Sequence, residues 1–259
     1  MHPWSRRLLM GTLPVLLALS CVAPPTELTV LSYNIHHGRG ADGVIDLERI
    51  AAVIEDSGAD VVALQEVDVR TTRANGVDQA AELGRLTGMH AFFGKAIPYA
   101  GGSYGDALLS RYPMRQTSSL LLPAAPNHEI RVAVRGIVQL PGGREVAIIG
   151  THLDHTKDPS DREAQARALN EAFLPAPLPT LLIGDLNAQP GSTPMRDLLG
   201  HGWTAADGAL RPTFPSDVPE HKIDWILKAP GHGGRLHTAE VLHAPVASDH
   251  APLRAIWIL

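Results

Sequence analysis

From Glu27 onward, apolar residues follow two rhythms, short unbroken runs and stripes at helical spacing. The runs predict strands at 28–33 (LTVLSY), 60–66 (DVVALQE), 106–113, 118–122, 130–140, 145–153, 222–227, 237–243 and 251–259. The apolar start of TLLIGDLNAQP, residues 180–190, predicts one more. The stripes predict helices at 46–58, 77–88, 160–173 and 193–200. In the first, Leu47, Ile50, Ala51 and Ile54 share a face, with Asp46 as cap and Gly58 as stop. Ser160 and Glu163 have the spacing of a capping box, and Thr193 stands as a cap before Pro194. PGGR at 141–144 turns one strand back on the next as a hairpin. Strands outnumber helices and a hairpin lies mid-chain. That argues against a purely parallel doubly wound sheet and for two sheets packed face to face with helices outside. No linker composition interrupts residues 28–259, which are read as one domain.

The strands share a second feature: each delivers a polar group at one end. VLSYN ends at Asn34, VALQE at Glu66, AIIGTH at His152 with Asp154 two residues on, and LLIGD at Asp185 with Asn187 two residues on. Asp224 lies in KIDWIL, and Asp249 and His250 precede the last strand. In an extended segment residues i and i+2 share a face, so Asp185 and Asn187 point together while Leu186 points back. A turn explains GDLN alone equally well, but strands packed side by side bring all these groups to one edge. Carboxylates gathered there repel one another unless a positive charge sits among them. Oxygen ligands without cysteine favour Mg²⁺ or Mn²⁺ over zinc. Metal, imidazole and amide donors together suit a phosphate whose charge grows as it is attacked.

Composition narrows this further. The 259 residues are 44% hydrophobic and 19% charged, ordinary for a folded domain, and the net charge of −5 supplies no global basic field for nucleic acid. The N-terminus differs from the rest. Arg6 and Arg7 precede an apolar run from Leu8 to Leu19, too short to span a bilayer comfortably, and then Ser20 and Cys21. Residues 1–21 read as an export signal, and ALSC resembles a lipoprotein cleavage box that would lipidate Cys21. SRRLLM partly resembles a twin-arginine signal. Cys21 is the single cysteine, which excludes an internal disulfide, and residues 22–27 follow as a tether. The expected location is periplasmic or membrane-anchored, or secreted, and the expected state is a monomer.

LSYNIHHG, VVALQEVD, YGDALLSRYP, THLD, GDLNAQP, TFPSDVPEHKIDWIL and SDHAPL occur in an order that resembles the endonuclease/exonuclease/phosphatase superfamily, the group with the pancreatic deoxyribonuclease fold. The resemblance runs from about Leu28 to Leu259. It implies a four-layer α/β sandwich, two packed mixed β-sheets flanked by helices. It also implies a Mg²⁺-dependent phosphoesterase that acts by in-line attack of water. Glu66 would be the main metal ligand, with Asn34 near it and Asp249 assisting. Asp185 would activate the water, and Asn187 would hold it and the phosphate. Asp224 would pair with His250 at the scissile phosphate, and His152 would be a phosphate ligand or general acid. Asp106 stands where many relatives carry Asn and is read as a partner for His152. Arg39, Arg131 and Arg162 are candidate phosphate contacts, and Tyr104 a pocket wall. His36 and His37 are read as loop residues that shape the pocket rather than as ligands.

The implied substrate is a phosphate ester: a nucleic acid, a phospholipid head group or an inositol phosphate. Two other classes compete. A non-catalytic phosphate- or lipid-binding module would keep the fold but lose Glu66, Asp185 or His250, all of which are present. A two-metal carboxylate hydrolase fits the composition but not the order of motifs.

Overall fold

The computed structural model describes residues 26–259 except Asp207 and Ala209. The export-signal, Cys21 and most of the tether readings therefore lie outside the described residues. Twelve strands form two sheets of six. The first contains β1 (Glu27–Asn34), β2 (Val61–Val69), β3 (His90–Tyr99), β4 (Gly102–Ser110), β11 (Arg235–Val241) and β12 (Leu253–Ile258) in the order β11-β12-β1-β2-β4-β3. The second contains β5 (Met114–Leu121), β6 (Val132–Gln139), β7 (Glu145–His152), β8 (Thr180–Asp185), β9 (Thr204–Ala205) and β10 (Asp224–Lys228) in the order β5-β6-β7-β8-β10-β9. Each sheet has one parallel pair, β1/β2 and β7/β8, and the other pairs are antiparallel. The parallel pairs are the places where a helix crosses over, α1 (Leu47–Asp56) in one and α3 (Ser160–Phe173) in the other.

Three apolar layers hold this arrangement. Leu28, Val30, Ala63, Leu108, Val134, Ile148, Ile183 and Trp257 belong to the core between the sheets. Ile50, Ala51 and Ile54 of α1 and Leu83 of α2 (Gln79–Thr87) pack on the outside of the first sheet with Leu31, Tyr33 and Leu64. Leu169 of α3 and Met195 and Leu198 of α4 (Thr193–Gly200) cover the second, against Ile149, Leu182 and Trp225. The order helix, sheet, sheet, helix is the expected four-layer sandwich. The long β1 and β2 are buried on both faces, which explains why they read as apolar runs instead of alternating patterns.

Local details differ from the sequence reading. Strand β3 was hidden because HAFFGKAIPY carries Gly94, Lys95 and Pro98 and lies at the sheet edge, where Pro costs no ladder bond. Strand β4 starts earlier than the predicted 106, at Gly102. The Ser160–Glu163 capping box does not form: Pro159 is the cap residue, and Asp158 accepts the Ser160 N–H and hydroxyl instead. At α4 the cap is Ser192, one residue before the expected Thr193.

Glycines set two close approaches. Gly184, beside Thr151 in the β7/β8 ladder, has no room for a methyl: a Cβ there would lie 1.8 Å from the Thr151 carbonyl oxygen. Gly150 lies where the sheets meet. A Cβ there would come within 3.1 Å of Leu108 and 3.2 Å of Ala63, both on the opposite sheet. A separate clip holds the loop before β6. Asp161 Oδ1 accepts the Ala125 N–H at 3.0 Å, and Oδ2 contacts His128 Nδ1 at 2.6 Å.

Gly184→Ala is expected to cost at least about 2 kcal/mol in urea unfolding, because backbone would have to move. Gly200→Ala, where a Cβ meets nothing within 4 Å, should change the midpoint little. The Asp161 hydrogen bond raises the pKa of His128. The clip therefore stabilises fully below the unfolded value, near 6.5, and fades as pH rises through the folded one. Thermal unfolding of His128→Ala should differ from wild type more at pH 5.5 than at pH 9.

Candidate active site

The strand tips converge. Asp185 ends β8, and its register partners are His152 on β7 and Asp224 on β10. Across the gap between the sheets, Asn34 ends β1, and its Nδ2 donates to Asp185 Oδ2 at 3.2 Å and to Glu66 Oε1 at 3.1 Å. Glu66 sits where the β2/β4 register shifts, and its backbone is left-handed at φ 60. Such a bulge re-aims a side chain out of the ladder. Here it leaves Glu66 half-buried while its neighbours in β2 are buried. A cleft of about 350 Å³ is lined by Glu66, Tyr104, Arg131, His152, Asp185, Asn187 and His250.

Asp185 is the centre of the cluster. It is buried, its Oδ1 accepts the Asn187 N–H at 2.9 Å, and its Oδ2 lies 3.4 Å from His152 Nε2 and 3.6 Å from His250 Nε2. Leu186 points back into the outer core as expected. The loop beyond is held by Trp225 Nε1, which donates to the Ala188 carbonyl at 2.8 Å. The expected Asp224–His250 pair is present, His250 Nδ1 to Asp224 Oδ2 at 2.9 Å. Two carboxylates side by side on adjacent strands repel, and His250 lies against both. Burial alone would lower the His250 pKa, but Asp224 and Asp185 outweigh it and raise it to about 10. His250 is therefore a cation at neutral pH. Burial, with help from Asp224 and against His250, raises Asp185 to about 7, the range of a group that can take a proton from water.

His152 differs. Burial and then the Arg131 charge hold its pKa well below the usual histidine value, so it is neutral. Arg131 Nη1 lies 3.1 Å from His152 Nδ1. A guanidinium only donates, so Nδ1 is the acceptor and the ring proton is on Nε2. That N–H faces Asp185 Oδ2 at 3.4 Å, and beside it the Asn187 Nδ2, 2.9 Å from Nε2, donates one hydrogen to the Leu153 carbonyl at 3.0 Å. An anionic oxygen would accept from both. Arg131 also reaches His155 Nδ1 at 2.9 Å and Glu129 Oε1 at 3.2 Å, so its positive charge backs the cleft wall.

Other expected residues fall in different places. Asp106 is buried, with its pKa pushed well up by burial against the pull of Arg131. The His152 ring faces Arg131 at Nδ1 and Asn187 at Nε2, not Asp106. Asp154 is turned away toward Thr156, and Arg162 donates to the Asp154 and Thr156 carbonyls, so it clamps that loop. Arg39 is exposed, bridges to Ile45 and does not line the cleft. Asp249 is 41% exposed at its side chain, and its Oδ1 lies 3.7 Å from His36 Nδ1. The sequence reading passed over Glu129, His155 and Phe214, all in the cleft lining. Phe214 packs 4.8 Å from the His250 ring. Glu129 and His155 carried a faint signal, since each stands close in sequence to Arg131 or His152.

Comparison with known proteins gives the family and the fold. The sequence profile described as Endonuclease/Exonuclease/phosphatase family matches residues 31–250. The chain belongs to the endonuclease/exonuclease/phosphatase family. Members of this family are typically hydrolases acting on phosphate esters. The chain is 27% identical over 240 residues to the uncharacterized protein YbhP of Escherichia coli K12, covering 87% of this chain and 94% of YbhP. Among solved structures, the family member from Beutenbergia cavernae is 26% identical, with a TM-score of 0.75, covering 90% of this chain and 72% of that one. A mannosyl-6-phosphatase from Bacteroides thetaiotaomicron is 18% identical, with a TM-score of 0.74, covering 90% of this chain and all of that one (100%), and shares the fold.

Proposed function

We propose that the protein is a metal-dependent hydrolase of phosphate esters, exported and held at a membrane through Cys21, that works as a monomer. The observation that carries the reading is the convergence on Asp185. A proton-accepting carboxylate, a cationic imidazole, a neutral imidazole and the Asn187 amide share one cleft, and the buried Asn34 amide donates to that carboxylate.

In this reading, Asp185 orients the attacking water and takes its proton. His250, kept cationic by Asp224, faces the growing negative charge on the phosphoryl oxygens. His152 donates its Nε2–H to a phosphoryl or leaving oxygen, and Asn187 donates beside it. Asn34 links this cluster to Glu66. The donor set suits a divalent cation, since the half-buried Glu66 carboxylate and the partly exposed Asp249 retain free lone pairs, and Asn34 adds an amide oxygen. Glu66 would be its main ligand, with Asn34 near it and Asp249 assisting. When bound, the ion would act as a Lewis acid toward a phosphoryl oxygen. The negative net charge favours a compact phosphate group over a polynucleotide.

A panel of plasmid DNA, sphingomyelin, inositol phosphates and a generic phosphodiester, each with Mg²⁺ and with Mn²⁺, tests the reading. Asp185→Asn is expected to lower turnover roughly 10²–10⁴-fold on whichever ester is cleaved. A folded variant that keeps wild-type turnover would remove Asp185 from the chemistry. Glu66→Gln should shift the metal titration steeply upward, and an unchanged titration counts against Glu66 as ligand.

A further inference from the structure

We infer that the cation at Glu66 is a borderline divalent transition ion, held by the imidazoles of His36 and His37 together with the Glu66 carboxylate. The inference rests on the metal reading of Glu66 above and not on any hydrolysis step. One ligand atom from each of these residues lies within 4.8 Å of the others. An ion with bonds of about 2.1 Å spreads its ligand atoms to separations of roughly 3–4 Å, so small side-chain rotations close the set.

Three further features support a built site. His37 is only 8% exposed, and its Nδ1 is buried with no hydrogen-bond partner among the described residues. A metal bond would give that buried nitrogen the partner it lacks. The turn that presents the histidines is fastened on both sides. Gln79 Nε2 donates to the His37 carbonyl at 2.7 Å, and the His36 N–H donates to Asn34 Oδ1 at 3.0 Å. His36, His37 and Glu66 all have left-handed backbones, φ 46, 47 and 60, an unfavourable conformation for each. Such strain collects where side-chain direction matters.

The surroundings suit a cation. Asp249 Oδ1 lies 3.7 Å from His36 Nδ1, an anion beside the site. Arg73, whose charge acts on His37, is bound to Asp68 at 2.6 and 2.9 Å, which offsets part of that charge. Two nitrogens and a carboxylate match Zn²⁺ or Co²⁺ better than Mg²⁺, which prefers oxygen alone.

The test uses the metal-free protein and measures binding directly, without substrate. Any site prefers Co²⁺ to Mg²⁺ to some degree, so the decisive quantity is how much of that preference depends on the histidines. Equilibrium dialysis with Co²⁺ should give at least about tenfold weaker binding in His36→Ala/His37→Ala, with Mg²⁺ binding changed less than threefold. Equal Co²⁺ affinity in the folded double variant overturns the inference. Spin-echo modulation of Mn²⁺ bound to the wild type should reveal imidazole nitrogen, and its absence overturns the inference whether or not the variant folds. If Glu66→Gln leaves binding of all three ions intact, the metal reading of Glu66 fails as well. Loss of hydrolysis alone touches neither.

Discussion

The hydrogen bond from Asn34 to Asp185 joins residues 151 positions apart, and it joins the two sheets. Each partner is the last residue of its strand. Both sheets must therefore end at the same height for the contact to exist. Asp185 Oδ2 also lies within reach of His152 and His250, so a single buried oxygen gathers groups from both halves of the chain. Burying that carboxylate is costly, and the cost is what lifts its pKa toward neutrality. The charge on His250 offsets part of it, while Asp224 adds to it. Stability and reactivity here come from one arrangement of charges.

The charges also divide the labour between the two histidines. His250 has a carboxylate at Nδ1 and becomes a cation, whereas His152 has a guanidinium at Nδ1 and stays neutral. The residue type is the same, and the neighbour decides its state. Neither neighbour lies close in sequence: Asp224 is 26 residues from His250, and Arg131 is 21 from His152.

Much of the layer order was legible in the sequence. Runs such as LTVLSY and TLLIGD are buried on both faces, and the stripe Leu47, Ile50, Ala51 and Ile54 turns three of its members fully into a core. The strand-tip rule also worked, because a chain leaving a buried strand must expose polar groups to the rim. What could not be read depends on distant partners. HAFFGKAIPY looked irregular until the sheet edge gave it a place. Asp106 was the partner read for His152 and Arg131 a phosphate contact, and only the fold brings the guanidinium to the ring. His36 and His37 carried no periodic signal because they sit on a tight turn with left-handed backbone.

Gly150 gives this architecture a mechanical setting. The opposing Leu108 and Ala63 approach so closely there that the absent side chain fixes how far apart the sheets stand. The reach from Asn34 to Asp185 spans the same separation. Interlayer distance thus works as a caliper for the reactive rim, and a wedge driven between the layers would detune the chemistry while leaving every polar residue in the sequence unchanged.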